Sequence, residues 1–229
     1  MTSITNTADR SDGHRGGRAC GVTIATAWSV ACWLLAAVLD SALRYVGQPA
    51  AQSPIIDMVV MGVVAGALWG LVRRSLGLGL RAVAAGLVGL PVAYSVAYPL
   101  LFMFFHNAAL GWLGNAAFLL IVTVIFCALF GMITEGPRSA GIFALMGAIA
   151  GVPFGAALEA SVRFTPTDAP DILVWSIPTV CLALSIGLGT GLAGGLWRAG
   201  PERRSLQPAG DPPAGSVGRE AGGGPDDPQ

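Results

Sequence analysis

Two acid–arginine pairs, Asp40 with Arg44 and Glu159 with Arg163, end long apolar stretches of this sequence. A carboxylate four residues before an arginine lies on the same helix face, so the two can form an ion pair. Such a pair could gate a path or hold a charged substrate. It could also anchor a helix end at a lipid–water boundary, with the arginine extended to water. Because both pairs lie at the ends of the apolar stretches, we favour the anchor.

Asp57 and His106 are the other ionisable residues of interest. Asp57 comes in the first turn of an apolar stretch, where its charge favours a helix N-terminus. Stabilisation of the helix N-terminus is therefore enough to explain Asp57. The alternative is that Asp57, like the two acid–arginine pairs, binds a substrate or forms part of a gate. His106 is the single histidine in the apolar region, and one imidazole with a distant carboxylate cannot supply three protein ligands to a catalytic metal. The sequence also lacks CxxC, GxSxG and phosphate-loop motifs, so we expect no enzyme, metal or cofactor.

The composition is that of a membrane protein. Of 229 residues, 54% are hydrophobic and 11% are charged, against about 25% charged in soluble domains. A helix needs about 20 apolar residues to cross a bilayer. Six stretches approach or reach that length: 21–39, 55–72, 82–105, 116–134, 140–158 and 172–197. Because none alternates with a period of two, we predict an all-α integral membrane protein with six transmembrane helices.

Small residues recur at every fourth position in four of these stretches. On a helix this spacing lines one face with residues that let a neighbouring backbone approach closely. We therefore predict that these faces are helix-packing surfaces. Their members are Gly62, Gly66 and Gly70; Thr123, Cys127 and Gly131; Gly147, Gly151 and Gly155; and Gly187, Gly191 and Gly195.

Several motifs recur in one order. ALWG at 67–70 returns as ALFG at 128–131, and the acid, arginine and aromatic of 38–45 return in 157–164. Chance matching between alanine- and glycine-rich segments is the alternative. Agreement of several features in one order favours three pseudo-repeated helical hairpins.

Pro91 and Pro153 also recur, each following a glycine by two residues, inside the third and fifth stretches. Proline removes a backbone donor and kinks a helix. Matched kinks would suit a hinge or a cavity. Simple tolerance of proline in membrane helices carries equal weight.

Arginine placement predicts the orientation. Eleven of the thirteen arginines fall on the side of the two termini, and only Arg44 and Arg163 fall on the other. The positive-inside rule then places both termini in the cytoplasm, with the protein in the plasma membrane. Residues 1–18 and 199–229 are polar or rich in Pro and Gly, so we expect disordered cytoplasmic tails around a transmembrane domain at 19–198.

The pseudo-repeats, the matched prolines and an outer side with five acids against two arginines favour a transport-related protein. It would be a small permease, a channel or the membrane subunit of a transporter. The alternative is a non-catalytic scaffold or assembly partner that packs through the small-residue faces. Expected partners are the lipid bilayer and either a second copy or another membrane protein. A net charge of zero argues against nucleic acid.

Overall fold

The computed structural model describes residues 9–46, 53–106, 113–166 and 170–200. Within these ranges six helices are long and apolar enough to cross a membrane, which confirms the prediction of an all-helical, multi-pass chain. A short 3₁₀ turn, Pro137–Ser139, precedes the fifth helix. The helices are α1 (Asp9–Val46), α2 (Pro54–Val72), α3 (Leu76–His106), α4 (Gly114–Glu135), α5 (Ala140–Phe164) and α6 (Asp171–Ala199).

Several helices extend beyond the apolar stretches that predict them. α1 begins at Asp9, so the backbone of residues 9–18 is helical and differs from the disordered tail predicted there. α5 continues past residue 158 to Phe164 and thereby includes the second acid–arginine pair. A hydropathy pattern reports only the part of a helix in apolar surroundings, and polar turns can continue it on either side. The predicted tail at 201–229 lies outside the described residues.

The helices pack as a closed ring in chain order. The most extensive interfaces join α4 to α5, α1 to α6, and α2 to α3. Smaller interfaces join α3 to α4 and α5 to α6, and the interface of α1 with α2 is smaller still. Each even-numbered helix therefore has one odd-numbered helix as its main neighbour, and the pairing of α6 with α1 closes the ring.

The α2–α3 interface depends on glycine. A Cβ at Gly62 would lie 2.5 Å from the carbonyl oxygen of Gly86, and one at Gly66 would lie 2.6 Å from the backbone of Ala82. Gly70 lies equally close to Gly79. The two backbones are thus in direct contact along three successive turns, and any side chain at these positions would separate them.

The other two main interfaces use the remaining small-residue faces. In α4–α5, a Cβ at Gly147 would lie 2.9 Å from the Cβ of Cys127, and Gly131 accommodates the ring of Phe143. Gly151 and Gly155 lie against Leu120 and Ala116 of α4, and Thr123 contacts the same face of α5. In α6–α1, each small residue lies against a Cα atom of α1: Gly187 against Val30, Gly191 against Thr26 and Gly195 against Val22.

Large side chains fill the space between the pairs. Trp33 of α1 meets Phe126 of α4 edge to face at 5.2 Å between ring centroids, and Trp69 of α2 meets Phe130 at 6.3 Å. Phe143 is also buried in this core. Large apolar side chains cover the outside of the bundle, as a lipid-facing surface requires.

The helices continue through their internal prolines. Pro91 and Pro99 lie within α3, Pro153 within α5 and Pro178 within α6. Pro91 is half-buried, whereas Pro153 is exposed. The two matched prolines thus differ in their surroundings, and their role as hinges stays a prediction.

Candidate functional site

Asp40 and Asp57 are buried inside the bundle. Asp40 of α1 exposes 3% of its surface and Asp57 of α2 exposes 5%. An interfacial anchor would leave its charged end in water, so the burial of Asp40 argues against the anchor interpretation. Asp57 lies in the first turn of α2, as predicted, and is buried there. Carboxylates buried between membrane helices are functional candidates by default.

The second acid–arginine pair has a different environment. The Arg163 Nε donates to Glu159 Oε1 at 3.1 Å. The Arg163 side chain is 51% exposed and that of Glu159 is 14% exposed. The exposed guanidinium of Arg163 fits an interfacial anchor, whereas Glu159 is largely buried and its Oε2 has no hydrogen-bond partner among the described residues. The side chain of Arg44 lies outside the described part of the structure, so its pairing with Asp40 stays a prediction.

Four buried hydroxyl groups lie in the middle of the bundle. Ser29 of α1 and Thr190 of α6 share a hydrogen bond of 2.9 Å, and Thr123 of α4 shares another of 2.9 Å with Ser185 of α6. The Thr190 hydroxyl donates to a carbonyl of its own helix and accepts from Ser29. Thr123 and Ser185 also each lie within hydrogen-bond distance of a carbonyl of their own helix, and since each hydroxyl has one proton, one of the two donates to its carbonyl and the other donates across the pair. α6 is therefore bonded to two neighbours through buried side chains.

Sequence reasoning missed this group except for Thr123, which it assigned only to a packing face. The available signal was a set of single hydroxyl residues within apolar stretches. Buried polar groups in lipid must find partners inside the protein. However, the sequence does not indicate which helices supply them.

A third polar group lies where α2, α4 and α6 end. It consists of Arg73, Glu135 and Arg198, and we call it the arginine cluster. Arg198 Nη2 donates to Glu135 Oε1 at 2.7 Å, and the Glu135 side chain is only 6% exposed. The guanidinium carbon of Arg73 lies 4.8 Å from the ring centroid of Trp69, a cation–π contact.

The electrostatics of the arginine cluster are those of two cations that share one anion. Burial lowers the pKa of Arg73, the charge of Arg198 lowers it further, and Glu135 opposes both effects. Arginine remains charged despite such a shift. Arg73 Nη2 and Arg198 Nε are buried and have no hydrogen-bond partner among the described residues.

Metal-ligating groups do not come together in the described ranges. No three His, Cys, Asp or Glu side chains there lie close enough to share a metal ion. His106 ends α3, with its Nδ1 at 2.8 Å from the carbonyl oxygen of Phe102. Cys32 and Cys127 are buried free thiols that pack as small apolar residues.

Comparison with known proteins found no matching protein family, no matching curated protein and no matching solved structure.

Proposed function

We propose that this chain is a transport-related membrane protein: a small permease, a channel or the membrane subunit of a transporter. The observation that carries the proposal is the burial of Asp40, near the end of α1, and of Asp57, in the first turn of α2. Placing carboxylates there costs free energy, and proteins retain them where they bind ions or relay protons. The substrate class that fits two buried acids is a cation or a proton-coupled solute.

The placement of the other polar groups supports this proposal. Polar side chains occur at three levels of the bundle: the buried acids, the hydroxyls around Ser185, and the arginine cluster at the opposite helix ends. They come from α1, α2, α4 and α6. The most buried of the six spans belongs to α6, with 67% of its apolar window inside the bundle. A path built from such groups would run beside α6.

The small-residue faces weigh against the scaffold alternative. A scaffold would present those faces to a partner, but Gly62, Gly147 and Gly191 each lie against a helix of the same chain. A partner would therefore have to bind elsewhere on the surface. We propose that the protein also binds a second copy of itself or another membrane protein while it acts in transport. We assign no catalytic residue.

We also propose that the six helices form three pseudo-repeated pairs: the hairpins α2–α3 and α4–α5, and the pair α6–α1, whose helices pack together without being consecutive in the chain. The three largest interfaces support this grouping, because each joins the small-residue face of an even helix to an odd helix. Parallel repeats of this kind are related by an axis along the membrane normal. The arginine distribution supports cytoplasmic termini in a plasma membrane.

Cation flux through the purified protein tests the proposed function. The full chain is reconstituted in liposomes that contain a pH-sensitive dye, and a potassium diffusion potential set with valinomycin drives proton entry. Parallel vesicles with a sodium-sensitive dye report sodium. We expect the wild-type protein to raise the flux of one of these cations well above that of empty vesicles.

Variants of Asp40 and Asp57 test whether the flux depends on the buried carboxylates. Asp40→Asn and Asp57→Asn remove the buried charges with little change of shape, and we expect each to reduce flux by about tenfold or more, as for loss of a charged group worth 1.5–3 kcal/mol. The matched control is Glu159→Gln, which removes the carboxylate already paired with the exposed Arg163 and should retain most of the flux. Equal flux in all three variants, or no flux from the wild-type protein, would contradict the proposal.

A further inference from the structure

We propose that the arginine cluster binds a phosphate group, carried either by an anionic phospholipid headgroup or by a free phosphate compound. The site lies at the opposite helix ends from Asp40 and Asp57 and does not depend on transport. The residues that would hold the phosphate are Arg73 and Arg198, with Glu135 fixing their position.

The charges of the cluster are incomplete without an anion. The charges of Arg198 and Glu135 both act on Arg73, and Arg198 already binds the Glu135 carboxylate at 2.7 Å. One positive charge is therefore left over at a half-buried place. A buried charge is stable only where it is paired and hydrogen-bonded, so an anion at this position would complete the cluster.

The hydrogen bonds of the arginine cluster also lack an acceptor. Arg73 Nη2 and Arg198 Nε are buried donors with no acceptor among the described residues. A guanidinium group presents a planar fork of N–H donors that matches the oxygens of a phosphate. α1 lies between α2 and α6 in the ring, so a phosphate held by both forks would bridge the arginine that follows α2 and the arginine at the end of α6.

Two features of the fold explain why arginines occupy these positions, but they do not explain why two of the N–H donors lack an acceptor. The carbonyl ends of α2 and α6 favour a cation at this position, and the Trp69 ring attracts Arg73. Neither provides an acceptor in line with Arg73 Nη2 or Arg198 Nε. The helix ends also repel an anion, so the phosphate must be held by the side chains.

The depth of the cluster matches that of lipid phosphates. Arg73 directly follows α2, Glu135 is the last residue of α4 and Arg198 is the second-last residue of α6. The ends of membrane-spanning helices lie at the headgroup level. The Arg198 side chain is 26% exposed, which leaves a side from which a phosphate oxygen can approach.

A thermal-stability titration tests the site. The full-length protein, purified in a neutral detergent, is titrated with short-chain phosphatidylglycerol, short-chain phosphatidylcholine or inorganic phosphate, and unfolding is followed by circular dichroism. A ligand that binds only the folded state raises the melting temperature in a saturable way. We expect this for phosphatidylglycerol or inorganic phosphate, and phosphatidylcholine should have a much smaller effect.

Variants distinguish binding at the arginine cluster from a general electrostatic attraction of phosphate to any arginine on the protein. Arg198→Gln should weaken the fitted affinity by about tenfold or more. Arg198→Lys keeps the charge but loses the fork and should give an intermediate value. The matched control, Arg81→Gln with Arg138→Gln, removes two exposed arginines and should leave the affinity nearly unchanged.

The ligand series identifies the source of the phosphate. Stabilisation by phosphatidylglycerol alone means that the site takes a lipid headgroup, and equal stabilisation by inorganic phosphate means that it takes a free phosphate. The proposal is overturned if neither ligand stabilises the wild-type protein. It is also overturned if the control variant loses as much affinity as Arg198→Gln.

Discussion

Asp40 and Glu159 hold matching places in the sequence but different places in the structure. Asp40 is 3% exposed as a whole residue, and the Glu159 side chain is 14% exposed. On α5 the residue whose burial matches that of Asp40 is Leu158, the neighbour of Glu159, at 5%. One residue of shift turns a side chain by about 100° around a helix. The motif match could place both acids near a helix end, but it could not decide which of them faces the interior.

The buried hydroxyls lead to a prediction about Ser29 and Thr190. Because their hydroxyls share a hydrogen bond of 2.9 Å away from water, Ser29→Ala and Thr190→Ala should not be additive. In a double-mutant cycle we expect a coupling energy of about 0.6 kcal/mol, the average found between membrane helices. The cycle is measured by unfolding in mixed micelles followed by circular dichroism.

Thr23 provides the control for that cycle. It is exposed and its hydroxyl donates only to Ala19 in its own helix. Thr23→Ala paired with Thr190→Ala should therefore show no coupling. Additive effects of Ser29→Ala and Thr190→Ala would mean that these two side chains do not meet.

At the level of the helices, the sequence predicted which faces pack but not which neighbour each face meets. Four-residue spacing of small residues identifies a face from local order alone. The partners of Gly62 and Gly191 are Gly86 and Thr26, which lie 24 and 165 residues away. The partner residues carry no mark of their own, since alanine, glycine and valine are common throughout the chain.

A glycine substitution tests the α2–α3 contact. At Gly62, alanine would place a Cβ 2.5 Å from the Gly86 carbonyl oxygen, and a backbone atom cannot move away cheaply. We expect Gly62→Ala to lower the free energy of unfolding by about 1–3 kcal/mol, the usual cost of overpacking. The measurement is reversible unfolding in mixed micelles.

Gly21 is the matched control, because it also lies in a helix but a Cβ there meets nothing within 4 Å. Gly21→Ala should stabilise the protein by roughly 0.5–1 kcal/mol through helix propensity. If the two substitutions have the same effect, the backbones of α2 and α3 are not in contact at Gly62.

For the whole molecule, the number of helices followed from the apolar stretches, and the closure of the ring did not. Six runs of about the right length identify six crossings. The packing of α6 on α1 joins the two ends of the membrane domain, and no local pattern reports such a contact. Only the proposed repeat indicates the contact of α6 with α1. In that repeat, α6 corresponds to α2 and α1 corresponds to α3, and α2 packs on α3.

The arrangement of α1 against α6 places Ser29, Asp40 and the hydroxyls of α6 inside one bundle. Cysteine cross-linking tests this directly. In a chain without its four native cysteines, Ser29→Cys with Thr190→Cys replaces two hydroxyls that lie 2.9 Å apart, a geometry that allows a disulfide. The control pair is Ser29→Cys with Ser95→Cys, since Ser95 is exposed on α3.

After mild oxidation in native membranes, we expect mass spectrometry to find the peptides of α1 and α6 joined in the first variant and separate in the control. Failure of the first pair to join, with linkage in the control, would contradict the closed ring.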